Sequence, residues 1–429
     1  MPGTARKLGR EFGKLWTAAT VSGLGDGVTQ IAGPLLAVSI TRSPTQVAGL
    51  MVAQQLPWML FALPSGAMVD RADRRLAMAS ASVVRAAALG ALGVMVFMGY
   101  ASMLLLYVIF FVVGCAGLVF ENASTAVLPA LVERSRLERA NGRLQSAATL
   151  ARSLVAQPLG AWLFALAAWV PFLLDASGLV LVAVLVAVLP ALVNAAPAKG
   201  SRATLRASMH EGVRWLLGNR LLRTLALTVA ISDIGLGAVF SVFVLVARVR
   251  LGVGPLGYGL LLATSAIGGI AGGLLADRAI SAIGAGWVLR VEMIVEILTY
   301  LGLATTRSAI IAGVLLALLG MHLVMFSTVS ASLRQSLAPA NMLGRVHGAY
   351  RVASNGGMLA GAALGGLVST YFGLTAPFLL GFTAMTAVSV VVWGTLNNRD
   401  IRTARQSELA DGGREVSVRC RRRPRGACR

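Results

Sequence analysis

Long apolar runs separated by short polar breaks recur along almost the whole chain, each run roughly 20 residues long and so able to cross about 30 Å of hydrocarbon as a helix. The period-two alternation that a membrane β-barrel needs is absent. The breaks place twelve helices at 16–41, 47–69, 76–98, 102–131, 142–168, 171–193, 222–247, 257–276, 286–305, 309–335, 345–370 and 376–397. The expected class is an all-α membrane protein with twelve transmembrane helices. No charged leader, short apolar stretch and small-residue cleavage site precede the first run, so no cleaved signal peptide is expected.

Composition agrees. Only 13% of the 429 residues are charged, against about 25% in soluble domains, and the mean hydropathy is +0.77. The charge that exists is sorted by side. Thirty of the 38 lysines and arginines fall on one set of alternate segments, while the other side carries four: Arg42, Arg248, Arg250 and Arg307. This asymmetry puts both termini in the cytoplasm of a multi-pass protein of the cytoplasmic (inner) cell membrane. The net charge of +21 is concentrated at membrane borders and in a tail ending "RCRRRPRGACR", which points to anionic headgroups rather than nucleic acid. Cys115 lies within a span, and Cys420 and Cys428 lack metal-ligand spacing, so neither a disulfide framework nor a metal site is expected.

The chain repeats itself. A shift of 207 carries Asp26 to Asp233, Gly66 to Gly273, Asp70 to Asp277 and Arg71 to Arg278. A shift of 206 lays "LVERSRLERANG" (131–142) over "LAPANMLGRVHG" (337–348). Each shift spans an even number of helices, so the two halves are parallel repeats about an axis along the membrane normal. The expected units are 1–193, a six-helix bundle; 194–221, a linker with an amphipathic helix over "MHEGVRWLLGNRLL"; 222–397, a second six-helix bundle; and 398–429, a basic tail expected to be disordered.

Twelve spans in two parallel halves, with G-x-x-x-D-R-x-x-R-R at 66–75, resemble the major facilitator superfamily. The stretches "LLRTLALT", "LVERSRLERANG" and "SLRQSLAPANMLGRVHGAYR", with the Asp of "SGLGDG", resemble the branch of enterobactin-type siderophore exporters and macrolide efflux pumps. "AQPLGA" at 156–161 departs from the antiporter glycine-proline motif of the fifth span. The resemblance implies alternating access and a latch on the cytoplasmic side, formed by Gly66, Asp70, Arg71, Arg74, Arg75, Gly273, Asp277 and Arg278. It implies that Asp70 meets the start of the eleventh span near Arg345, that Asp277 meets the fifth, and that both contacts exist only when that side is shut. Held by arginines alone, the loop would also simply stay cytoplasmic.

Ionisable groups inside a bilayer are costly and mark function by default. Counted from the cytoplasmic ends at 1.5 Å per residue, Asp26, Glu121, Arg152, Asp233 and Glu296 all lie roughly 15–17 Å deep. By the resemblance, the first, fourth and seventh spans line the cavity, so Asp26, Glu121 and Asp233 should face water and one another, with Arg152 as counter-ion. They are candidates for proton coupling or for binding a cationic substrate, or are permanently ion-paired. His322 either relays protons or packs by hydrogen bonds. Arg85, and Glu292 with Glu296 near Arg290, read as helix-to-helix pairs. Gln54, Gln55, Asn122, Gln157 and Asn355 are secondary polar contacts for a ligand or bonds between helices. Gly357, Gly361 and Gly365, and Gly268, Gly269, Gly272 and Gly273, allow close helix approach, easing rocking of the halves or packing tightly.

With no Walker A sequence, no H-E-x-x-H and three histidines in all, the chain offers no sign of ATP drive, metal chemistry or an enzyme. The expected activity is secondary transport: proton-driven export of an amphipathic small molecule such as a drug, macrolide, siderophore or natural product. No cofactor is expected beyond the proton gradient, and no partner beyond substrate and membrane lipid, with the monomer as the working unit. Uptake or lipid movement by the same fold is the nearer alternative, and a transport-inactive membrane sensor the more distant one.

Overall fold

The computed structural model describes residues 9–69, 73–133, 136–189, 211–339, 342–399, 401 and 403. Asp70, Arg71 and the tail cysteines lie outside them. In chain order the helices are α1 Arg10–Ile40, α2 Pro44–Val69, α3 Arg74–Phe97, α4 Met103–Leu131, α5 Leu137–Leu150, α6 Ala156–Leu166, α7 Val170–Ala187, α8 211–218, α9 Arg220–Val249, α10 Pro255–Ile283, α11 Ala285–Thr305, α12 Ala309–Leu337, α13 Leu343–Phe372 and α14 Ala376–Val392. A π-helical turn, Ala151–Val155, joins α5 to α6, making them the two parts of one span. With α8 set aside this gives twelve spans in an all-α fold. Seven of the described helices are by themselves long and apolar enough to cross a bilayer. α11 is interrupted by Arg290, Glu292 and Glu296, and the fifth span is divided at its π turn.

Within the first half, α3 packs on α4 and α7, α2 on α4, and α1 on α6 and α7. Within the second, α9 packs on α13 and α14, α10 on α12, and α11 on α12 and α14. The halves meet chiefly where α2 lies along α13 and α6 along α10. The face of the bundle that carries α8, the start of α1 and the end of α14 is here called the linker side.

On the opposite side the halves are sealed. Arg248 Nη1 of α9 donates to the Val38 carbonyl of α1 at 3.0 Å, and Thr45 Oγ1 of α2 meets Thr370 Oγ1 of α13 at 2.7 Å. Gly366 accommodates Thr45 and Ala48, and Gly259 accommodates Gln157. The same ends of α1 and α9 are wrapped on all faces, with nearly every residue of 27–38 and 235–247 buried. Toward the linker side α5 is exposed over most of its length and buries only Ala140. The bundle is therefore closed on one side and parted on the other.

The glycine ladders work inside the second half. Gly357, Gly361 and Gly365 of α13 lie on the backbone of Ala230, Ile234 and Ala238 in α9, and Gly268 and Gly272 of α10 on Ala317 and Met321 in α12. Of the two roles expected for them, the structure shows packing, not a sliding face between halves. With lipid on both sides of the comparison, helix association depends on close van der Waals contact, which small residues permit.

Candidate transport chambers and their charged wall

Two chambers open within the bundle. One, of about 590 Å³, lies in the first half among its six spans. The other, of about 560 Å³, lies between the halves, lined mostly by Leu, Ile, Val, Met and Phe. Gln30, Gln54, Thr149 and Ser153 line both, so the two adjoin across one polar strip.

The charged wall of the first chamber centres on α1 and the fifth span. Pro158 has no N–H to offer the Leu154 carbonyl, and its ring crowds that carbonyl. The helix answers by widening: the Ala156 N–H bonds the Ala151 carbonyl, five residues back, and Arg152 sits on the widened turn. Gly23 lets α1 approach Ala148, with the Ala148 oxygen 3.1 Å from where a Cβ would stand, and Gly27 lies against the Arg152 carbonyl. Gly160 meets Val28 in the same manner. This seam of small residues brings Asp26 alongside the π turn.

Asp26 is held by two arginines. Its Oδ1 contacts Arg85 Nη2 directly, and its Oδ2 is 3.1 Å from Arg152 Nη2. Arg85, 2% exposed, also donates to Ser22 Oγ at 3.1 Å. Behind it, Asp175 of α7 accepts a 2.6 Å hydrogen bond from Thr29 Oγ1 and lies within electrostatic reach of Arg85 and Asp26. Glu121 of α4 lines the same chamber, exposed. The wall thus carries three carboxylates against two guanidinium groups, with Arg152 half exposed to the chamber.

Arg85 makes the helix-to-helix pair expected of it, tying α3 to α1 as the inner counter-ion of Asp26. Asp175 is not among the residues the sequence pattern singles out. The signal for it was an acid inside the apolar sixth run, "PFLLDASG", but its place in the second turn of α7 put it above the level shared by the other charges.

Asp233 does not join Asp26 and Glu121. It lies at the seam between α9 and α13, against Gly357 and within hydrogen-bonding reach of Ser354, and lines neither chamber. The repeat preserves its position but turns it into the second half, because the glycine ladder draws α13 over it. His322 and Glu296 are likewise enclosed there. Among the secondary polar residues, Gln54 lines both chambers and Gln157 the inter-half one. Asn122 Nδ2 bonds Ser65 Oγ at 2.8 Å, linking α4 to α2. Gln55 and Asn355 are half-buried and line neither chamber.

At the latch, Arg75 Nη1 donates to the Leu189 carbonyl at 3.1 Å, closing the end of α7, and Arg74 is half-buried beside it. Arg345, expected opposite Asp70, is paired with Glu211 of α8 at 2.6 Å. Asp277, expected to meet the fifth span, is exposed with Arg278 and makes no ion pair among the described residues. Gly273 is exposed beside Val324. Asp70 lies outside the described residues, so of the two expected contacts only the one at Asp277 can be looked for, and among the described residues it is absent.

Residues 8–412 match the family model described as transmembrane secretion effector, one of the major facilitator families. The chain belongs to this family. It is an integral membrane transporter and not an enzyme. A relative is the uncharacterized MFS-type transporter YfiS of Bacillus subtilis (strain 168), 25% identical over 387 residues that cover 85% of this chain and 88% of that one. Similar folds include a bacterial homolog of the human lysosomal transporter Spinster in an inward-facing, unoccupied conformation (TM-score 0.69, 14% identity, 95% of this chain and 99% of that one). A bacterial homologue of the iron transporter ferroportin, also inward-facing, has a TM-score of 0.70 at 17% identity over 90% of this chain and 98% of that one. The nucleoside transporter NupG has a TM-score of 0.70 at 13% identity over 90% of this chain and 98% of that one.

Proposed function

We propose that the protein exports amphipathic small molecules from the cytoplasm by alternating access, driven by protons, as a monomer in the cell membrane with its linker side cytoplasmic. One observation carries the reading. A carboxylate clamped by Arg85 and Arg152 stands on the wall of a polar chamber that adjoins an apolar one across Gln30, Gln54, Thr149 and Ser153. An amphipathic molecule fits this pair of spaces, its apolar body between the halves and its polar group toward Glu121 and Asp26.

A proton on Asp26 removes the charge that holds Arg152, so the π turn and α1 lose their ion pair while Arg85 keeps Ser22. Entry of that proton from outside would favour substrate release there and the return to the state seen here. Siderophores, macrolides and cationic drugs all satisfy the chamber chemistry, in keeping with the resemblance to efflux pumps.

Accumulation of ethidium and of erythromycin in cells lacking other pumps tests this. The wild-type chain should lower accumulation of at least one of them, and a protonophore should abolish the effect. Asp26→Asn should lose the dependence of efflux on external pH and slow it at least about tenfold, a barrier change of about 1.4 kcal/mol. Glu121→Gln should weaken handling of the cationic probe more than of the macrolide. Accumulation raised by the wild-type chain would instead mean uptake.

The basic tail separates a transporter from a sensor, provided the cut spares the fold. Asn398 accepts the Gly286 N–H at 2.8 Å and donates to the Ile283 carbonyl at 2.8 Å, and Ile401 is 3% exposed in the core. A chain ending at Thr403 should keep full efflux, whereas one ending at Asn397 should lose thermal stability.

A further inference from the structure

α11 and α12 enclose a set of ionisable side chains that the coupling at Asp26 does not use. His322 on α12 and Glu292 and Glu296, one turn apart on α11, are each 1–3% exposed. The imidazole lies between the carboxylates, with Nδ1 3.3 Å from Glu292 Oε2 and Nε2 3.1 Å from Glu296 Oε2. The other Glu296 oxygen accepts from Ser232 Oγ of α9 at 2.6 Å and from Tyr300 OH at 3.1 Å.

Among the described residues no arginine or lysine balances the pair of acids. Arg290 turns away, stacked between Trp287 and Trp393 at 5.2 and 5.0 Å and donating to the Trp393 carbonyl at 2.5 Å. From α9 the cluster also meets Asp233, an acid. α14 contains no titratable side chain, and those of α10 near this face, Asp277 and Arg278, sit at its linker end. Tyr350 of α13 and Arg334 are engaged with Ser330, about two turns further along α12.

A neutral imidazole has one N–H and one lone pair. Between two ionised carboxylates it would satisfy one and oppose the other, lone pair to lone pair, in a place sealed from water, where an unmet polar contact is most costly. One more proton resolves the conflict, either as imidazolium donating to both acids or as a carboxylic acid donating to the bare nitrogen. Glu296 already receives two hydroxyl donors and is therefore the anion. The extra proton belongs to the His322–Glu292 side.

We propose that His322, Glu292 and Glu296 form a proton-binding site of the second half, carrying one proton beyond the neutral imidazole and two carboxylates, and that this proton is exchanged during transport. The proposal rests on the proton-coupled reading above and adds a second place for the ion. α12 connects the two roles, since Gly320, Leu323 and Val324 on its other face line the inter-half chamber.

Occupancy can be read without any substrate. His210→Gln with His347→Gln leaves His322 as the sole histidine of the full chain. In isotope-labelled protein near neutral pH, nuclear magnetic resonance should show both ring nitrogens protonated. Failing that, it should show one N–H together with an infrared carboxylic-acid carbonyl band that Glu292→Gln removes. The amide of Glu292→Gln can itself donate to the bare nitrogen, so that variant should carry, and release on alkaline titration, one proton fewer per chain than its parent. A neutral single tautomer with no such band overturns the proposal, and the parent spectrum decides this even if Glu292→Gln does not fold. For exchange during transport, Glu292→Gln should abolish proton-driven ethidium accumulation in proteoliposomes while leaving ethidium exchange intact. Unchanged proton-driven accumulation in this variant sinks the coupling role. Absence of ethidium transport by the parent chain counts against the export reading and leaves the occupancy result standing.

Discussion

Arg85→Met should cost the purified protein about 3 kcal/mol of stability, the largest loss expected from any single charge in the bundle. Arg85 is almost fully enclosed and touches Asp26 and Ser22, whereas Arg152 on the other side of Asp26 is half exposed to the chamber. Removing Arg85 leaves the inner carboxylate oxygen of Asp26 facing its neighbours without a donor, and leaves Asp175 without its nearest cation. Breaking a buried pair is costly because the partner remains as an uncompensated charge. The double variant Asp26→Asn with Arg85→Met should recover most of the loss, since both charges leave together. It should nonetheless fail to couple efflux to external pH. Thermal unfolding of the detergent-solubilised variants gives the stability cycle, and ethidium efflux at several pH values gives the second result. If Arg85→Met and Asp26→Asn are each as stable as the parent, the clamp is not a structural tie.

Gly361→Leu should be more damaging still to assembly, whereas Gly356→Leu on the same helix should be tolerated. At Gly361 a Cβ would stand 2.8 Å from the Ile234 Cα, so the clash is with backbone of α9 that cannot rotate aside. A Cβ on Gly356 would meet nothing within 4 Å outside its own helix. Overpacking against backbone costs about 3 kcal/mol or more, while an unobstructed site should change stability by no more than about 1 kcal/mol. The pair separates steric wedging from the general effect of adding a side chain to a membrane helix. Yield of monodisperse protein and thermal midpoint report the difference. Because α9 also carries Ser232 and Asp233, a wedge at Gly361 should disturb the His322 cluster as well.

The pattern of apolar runs was enough for the twelve spans, because a bilayer imposes length and hydropathy on each helix separately. The fifth span shows the limit of that reading. Its apolar content places it in the membrane, yet the π turn at Ala151–Val155 depends on how Pro158 crowds the preceding carbonyl, and only that turn sets the direction of Arg152. Depth was also legible: Asp26 and Arg152 were placed at one level by counting residues, and they are 3.1 Å apart. Azimuth was not. Asp233 shares that level and the repeat position of Asp26 but points into the seam with α13.

The sequence by itself determined that this chain crosses a membrane twelve times in two parallel halves, and which ionisable side chains lie deep in the bilayer. Both follow from one-dimensional quantities, the length of apolar runs and the rise per residue along a helix. Which charges meet was decided only in three dimensions: Arg85 on Asp26, His322 between Glu292 and Glu296, Arg345 on Glu211. Rotation of each helix about its axis is fixed by contacts with its neighbours, above all by glycines that bring one backbone onto another, and no single run of sequence contains its neighbour's surface.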